Sequence, residues 1–397
     1  MRRFATLTIA AGSLAATQAL ALGHWQGRQK ALVVLLEWSN APVTVTREAI
    51  EETFFGGEGD TTSLRRFFLE NSGNSFDLSG AVLDWRRASS SWRASNGCKL
   101  SNIVNAAWSE FGHDVDIASY DSDGNGKIDN FFVVHSGRIG SDRVGPECTF
   151  TSFAQADHAV VFQSRGLGSI GEAIPIGFYI HEGGHGYFQL PDLYGDHYHG
   201  RYGIAMWGMM GLGAWGTYNQ VPVEDMFRIP AHFEPYSKAR IGWVRPREIR
   251  TTTRGVVLRP VETTSDIVAV PLGNGVNFYL EYRSRNGFSR EHRGHGLLIW
   301  KNYQLVQADG RDDLNDGNDL GRRPLPPIDE NFGDDTDPFP GEGGVTSYTD
   351  QREAIRFENI RRYDDRVELD VVVSRKIPLP AFQIDHLREV WDGVERL

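Results

Sequence analysis

The string His181-Glu182-Gly183-Gly184-His185 sets two imidazoles four residues apart with a carboxylate beside the first. On a helix, that spacing puts both rings on one face, one turn apart, where they can share a metal ion with Glu182 alongside. Two neutral imidazoles and one further protein ligand suit zinc, which keeps a position open for water and lowers its pKa toward about 7. A carboxylate next to that water takes its proton and later passes it to a leaving amine, which is the chemistry of peptide-bond hydrolysis. The opposing reading is two histidines that merely lie one turn apart on a surface or core helix. Glycines at 183, 184 and 186 weigh against it. Each costs a helix roughly 0.8 to 1 kcal/mol relative to alanine, and close packing beside a metal is a reason to carry them.

A third ligand is expected just beyond the helix. Pro191 blocks continuation and Asp192 follows it with a carboxylate, so Asp192 is the first choice. Asp196, His197 and His199 are nearby alternatives, and Glu224 is the candidate from a later helix. Further on, GMMGLGAWG sets two methionines in a glycine-rich turn, where Met210 would form an apolar floor beneath a metal. The alternative there is a plain apolar loop.

A second metal candidate precedes the first. Asp121, Asp123, Asn125 and Asp129 alternate along a loop with Gly126 at its sixth place, as at the start of an EF-hand, and Lys127 would contribute its carbonyl. The twelfth place is Phe132, so the usual bidentate glutamate is missing. A structural calcium ion completed by another segment or by water is expected, against a solvated acidic turn.

The elements that must hold these residues divide the chain in two. Lys30 to Glu37 is a continuous apolar run, the pattern of a strand covered on both faces. Helical spacing follows over Arg47 to Phe55 and Ser63 to Glu70, then strand alternation over Phe76 to Trp85, a strand over Phe131 to His135, and the metal helix over Ile176 to Leu190. That order predicts a mixed α/β (α+β) layered fold. From about Val244 the pattern turns β-rich, with strands at Gly255 to Leu258, Ile267 to Leu272, Phe278 to Tyr282, Gly296 to Trp300 and Val367 to Val373. Between Asp312 and Asp337, nine acidic residues in a Pro/Gly-rich stretch predict a long solvated loop, with Asp312, Asp313, Asp316 and Asp319 as a weak further ion candidate.

Bulk properties narrow the setting. The chain has 397 residues, 40% of them hydrophobic, enough for one large core or two modest ones. Residues 1–21 carry two arginines, an apolar run too short for a bilayer anchor and a small-residue site at Ala19-Leu20-Ala21, which predicts a secretory signal peptide and an extracellular destination. A buried N-terminal helix or short anchor is the alternative. No later apolar stretch reaches spanning length, so stable membrane insertion is not expected. In an oxidising setting the only two cysteines, Cys98 and Cys148, would form one disulfide, worth about 4 kcal/mol in the chain-entropy picture; two buried thiols are the alternative. A net charge of −11 argues against a nucleic-acid partner.

Taken together, these segments resemble the immune-inhibitor-A-like secreted metalloproteases, a metzincin-type family. YDSDGNGKIDNFFVVHSG resembles the family's calcium loop and following strand, and HEGGHGYFQLPDLYG its zinc segment. YGIAMWGMMGLGAWG is similar to its methionine turn, SKARIGWV to the step after it, and YLEYRSRNGF with GHGLLIW to its β-rich C-terminal part. The resemblance spans roughly Lys30 to Val373. It implies zinc at His181, His185 and Asp192, Glu182 as general base, Met210 as the methionine-turn residue, and protein or peptide substrates. The chain departs from the family at Phe188, where a glycine is usual, and at Lys301, where a histidine is usual. Asp192 also lies seven residues after His185, where the family has six.

The expectation is a signal peptide over 1–21, a metzincin-like catalytic domain with a mixed sheet and active-site helix over 22–244, a β-rich part over 245–374 and a tail over 375–397. The expected function is a secreted zinc-dependent endopeptidase that also binds calcium. The competing classes are a secreted binding or adhesive protein with a silent site, and a metal-dependent amidase.

Overall fold

Ala31 to Leu36 are fully buried, and they alternate between two cores. This is the outcome that the apolar run of the first strand, β1 (Gly27–Glu37), requires. In the computed structural model β1 lies between β2 (Phe76–Arg87) and β3 (Ile128–His135), parallel to both. Parallel β5 (Ala156–Gln163) and antiparallel β4 (Phe150–Phe153) complete a mixed sheet of order β2-β1-β3-β5-β4. The structure describes residues 25–57, 62–92, 99–137, 150–164, 176–193, 203–216, 229–311, 314 and 333–374. The signal-peptide and tail segments, Cys98 and Cys148, Asp196, His197, His199 and Glu224, and Asp312, Asp313, Asp316 and Asp319 lie outside them.

Helices α1 (Arg47–Phe55) and α2 (Leu64–Ser72) cover one face of this sheet through Ile50, Phe54, Leu64 and Phe67. Both start where a side chain takes over an orphaned backbone donor. Thr46 Oγ1 accepts from Ala49 N at 3.2 Å, and Ser63 Oγ accepts from Arg66 N at 3.1 Å. Gly73, at φ 61°, ends α2 in a left-handed cap that few other residues adopt. On the opposite face, α3 (Leu100–Phe111) buries Ile103, Val104, Ala107 and Phe111.

The C-terminal half is a sandwich. Its strands are β6 (Arg247–Glu248), β7 (Thr253–Leu258), β8 (Ile267–Pro271), β9 (Asn277–Arg283), β10 (Gly296–Lys301), β11 (Gln304–Val306), β12 (Tyr348–Asp350), β13 (Ile355–Arg362) and β14 (Val367–Val373). One sheet has the order β11-β10-β9-β8-β6 and the other β12-β13-β14-β7. In the first sheet, β8, β9 and β10 are antiparallel neighbours. Phe278, Leu280 and Tyr282 of β9 enter the sandwich core, whereas Tyr279 enters the core of the N-terminal half. Leu297 and Ile299 of β10 likewise face the sandwich, and Leu298 and Trp300 face away from it. This sheet is therefore a middle layer with both faces covered, and the two halves share it.

Charged residues enter the same interface. Arg283 and Glu281, next to Tyr279 in the alternation, are buried and pair at 2.7 Å. Arg283 also donates to the carbonyl oxygens of Trp207 at 3.2 Å and Phe233 at 3.5 Å, both in the N-terminal half. Nearby, Lys238 Nζ donates to His232 Nδ1 at 2.9 Å, and His232 Nε2 donates to Glu70 Oε1 at 2.7 Å, tying α2 to the segment after the methionine turn. The acidic stretch departs from expectation at its end. Asp337 is fully buried, because its turn folds back to pair Phe339 with Leu297 on β10.

Removing one partner of a buried ion pair leaves the other charge without compensation. Arg283→Met is expected to destabilise the chain by about 3–5 kcal/mol in urea unfolding, with part of the loss recovered by Glu281→Leu in the same chain. A loss within about 0.5 kcal/mol, the level of an ordinary surface change, would show that Arg283 does not hold the halves together.

Candidate metal centre

Helix α4 (Ile176–Gly186) carries His181, Glu182 and His185, and all three side chains are largely buried. It ends four residues before the expected Leu190. Tyr187 N still donates to Gly183 O at 2.8 Å, but Gln189 takes a left-handed φ of 51° and the chain folds back, so that Leu190 N reaches Gly184 O at 2.9 Å. Pro191 therefore follows a turn rather than the helix itself. Phe188, where the resembled family has glycine, packs its ring 4.9 Å from Trp25 and 5.1 Å from Trp243, centroid to centroid, and anchors this turn in an aromatic cluster.

The turn delivers both a carbonyl and a carboxylate to the histidines. His185 Nδ1 donates to Leu190 O at 2.7 Å, and His181 Nδ1 donates to Met209 O at 2.8 Å. A carbonyl only accepts, so each Nδ1 carries the proton, and in the neutral ring each Nε2 is left with its lone pair. Both Nε2 atoms face Asp192 Oδ1, at 3.1 Å from His181 and 3.3 Å from His185. Three acceptor atoms thus face one another, and only a proton or a metal ion resolves such an arrangement. Burial alone would lower the His185 pKa, but the Asp192 carboxylate, the Leu190 carbonyl and the Glu182 charge outweigh it, and the ring keeps its proton above the ordinary histidine range. Burial would raise Asp192, yet the two imidazoles more than reverse it and hold the carboxyl below its usual range.

Two nitrogens and one carboxylate oxygen, with each imidazole oriented through its far nitrogen, fit the donor set of a zinc site with three protein ligands. The centre opens on one side. The Asp192 side chain is 53% exposed, against 6% for His181 and 17% for His185.

The methionine turn closes the other side. Met210 is fully buried against α4, where Gly184 leaves room for its sulfur: a Cβ at residue 184 would collide with Met210 Sδ. The same turn accepts at Met209 O from His181 and at Met210 O from Leu193 N, the latter at 2.7 Å. It therefore holds both the helix and the residue that follows Asp192.

The acidic loop before β3 brings Asp121 and Asp123 to Asp129, the second residue of that strand, with one oxygen from each within 4.8 Å of the others. Asp121 accepts from the backbone of Gly124, Asn125 and Gly126 at 2.7, 3.1 and 2.7 Å, and these bonds, that of Gly126 foremost, hold its carboxyl below the usual range. Asn125 Nδ2 donates to Asp157 Oδ2 at 2.7 Å, and Lys127 Nζ lies 3.5 Å from Asp157 Oδ1. Asp157, on β5, is the second segment at this loop, and no sequence signal pointed to it. Lys301 pairs with Asp350 at 2.7 Å.

No protein-family model matches this chain, and no curated protein matches it.

Overpacking beside a buried methionine costs about 1–3 kcal/mol. Gly184→Val is expected to lower stability by that amount in chemical unfolding, and Met210→Ala in the same chain to restore part of it. Strictly additive effects of the two changes would show that they do not share the contact.

Proposed function

We propose that this chain is a zinc-dependent endopeptidase of the metzincin type, working outside the cell on peptide bonds in proteins. The observation that carries the reading is the convergence of His181 Nε2, His185 Nε2 and Asp192 Oδ1, with both rings turned by backbone carbonyls so that their lone pairs point inward. Bound by these three residues, zinc supplies Lewis acidity toward a carbonyl and toward water.

The remaining work falls to the protein. Glu182, next to His181 on α4 and 6% exposed, is the general base: its carboxylate takes a proton from water as the water oxygen attacks the scissile carbonyl carbon. When the C–N bond breaks, the same carboxyl gives that proton to the leaving nitrogen and returns to its starting state. Met210 and Gly184 keep the helix face fixed, and the exposed edge of Asp192 is the side from which a chain approaches. The grouped carboxylates of Asp121, Asp123 and Asp129 would take calcium as a structural ion.

Hydrolysis of an unfolded protein substrate by the purified chain, with and without chelator, tests the assignment. Glu182→Gln is expected to keep its zinc and lose about 10²–10⁴-fold in rate, the usual worth of a general base. Wild-type activity in the variant would refute Glu182 as base, and chelator-insensitive cleavage would refute the metal. His185→Ala is expected to lose stoichiometric zinc in metal analysis; unchanged zinc content would remove His185 from the ligand set.

A further inference from the structure

A third group of carboxylates meets where two loops of the C-terminal half close on the segment before the methionine turn. Asp309 follows strand β11 (Gln304–Val306), and Asp334 and Asp337 stand in the turn that returns Phe339 to β10. One oxygen from each lies within 4.8 Å of the other two. Asp337 is 0% exposed. Its Oδ2 accepts from Trp207 Nε1 and from Asp334 N, both at 2.9 Å, while its Oδ1 is buried with no hydrogen-bond partner. Among the described residues no lysine, arginine or histidine forms an ion pair with it.

A buried carboxylate oxygen without a donor has lost its water and gained nothing in return, and folds keep such an atom where something completes it. The surroundings hold the other two carboxylates toward the same point. Thr336 Oγ1 lies 2.9 Å from Asp309 Oδ2 and 2.6 Å from Asp334 Oδ1, and Thr336 N donates to Asp334 Oδ1 at 2.6 Å. Arg311 is 3.4 Å from Asp309 Oδ2 and sits on the solvent side, with no ion pair to the buried Asp337.

An all-oxygen, carboxylate-rich set suits a hard cation. Calcium takes about 6–8 oxygens at about 2.3–2.6 Å in flexible geometry and accepts backbone carbonyls and water among them. Oxygens within 4.8 Å of one another are close enough for small side-chain adjustments to bring all three onto one ion of that size. Magnesium demands a tighter octahedron, at about 2.0–2.1 Å.

We propose that Asp309, Asp334 and Asp337 form a calcium site, separate from the loop at Asp121, which fastens the Trp207 segment to the C-terminal sandwich. Asp337 holds Trp207 Nε1, and Trp207 stands three residues before Met210. Calcium at this point would therefore stiffen the turn that carries the Met209 carbonyl to His181.

The test uses the full chain with Asp121→Asn and Asp123→Asn, so that the first loop does not contribute. This protein is treated with a calcium-selective chelator, dialysed against calcium chloride, and measured for bound calcium and thermal midpoint. It is expected to bind calcium and to gain several degrees in midpoint from calcium but not from equal magnesium. Adding Asp337→Asn, which retains the shape of the side chain, is expected to remove one equivalent of calcium and that gain. Asp309→Asn, at the partly exposed edge of the group, is the second variant and should do the same if Asp337→Asn does not fold. Calcium content unchanged by the substitutions, or no calcium bound before them, would overturn the site. An equal gain from magnesium would overturn its assignment to calcium.

Discussion

Three acceptor atoms are forced to one point: the Nε2 atoms of His181 and His185 and an oxygen of Asp192. Neither imidazole relieves the conflict by moving its proton, because each Nδ1 is already committed to a backbone carbonyl. Much of the surrounding structure serves to hold this arrangement. The glycines of α4 sacrifice helix stability, and Gly184 lets Met210 lie directly against the helix. The left-handed Gln189 folds the chain back, so that one short segment supplies both the Leu190 carbonyl and the Asp192 carboxylate.

The methionine turn is where the two halves of the chain meet the centre. From one side the buried Arg283 of β9 donates to the Trp207 carbonyl, and from another the buried Asp337 accepts from the Trp207 indole. Both residues belong to the C-terminal half, whose first sheet has one face in the sandwich core and the other in the core of the N-terminal half. The β-rich part is thus built into the support of the candidate metal centre. The Glu281–Arg283 pair lies within β9 and earns little net stability by itself, but it keeps the Arg283 charge compensated where that side chain bonds the Trp207 and Phe233 carbonyls of the N-terminal half.

Much of this was legible in the sequence where one local signal sufficed. The apolar run of β1 and the helical spacing over Arg47 to Phe55 and Ser63 to Glu70 announced their elements, and the histidines and Glu182 announced themselves because one helix carries all three. Helix α3 was not read: Lys99 makes no side-chain cap bond. Strand β13 (Ile355–Arg362) was not read either, because the register shift between Glu358 and Arg361 and the positive φ of Asn359 break its alternation. The carbonyls of Leu190 and Met209 carry no sequence signal, since every residue has one. Asp337 was hidden for a different reason: composition averages over the acidic stretch and cannot tell which of its carboxylates is buried.

The central claim is that the three acceptors are metal ligands rather than partners sharing a proton. Anomalous diffraction at the zinc absorption edge, from crystals of the chain supplied with zinc, tests it most directly. The account predicts a single strong peak about 2.0–2.2 Å from His181 Nε2, His185 Nε2 and an oxygen of Asp192. Absence of a peak there, with the imidazole-to-carboxylate contacts intact at full zinc supply, would contradict it.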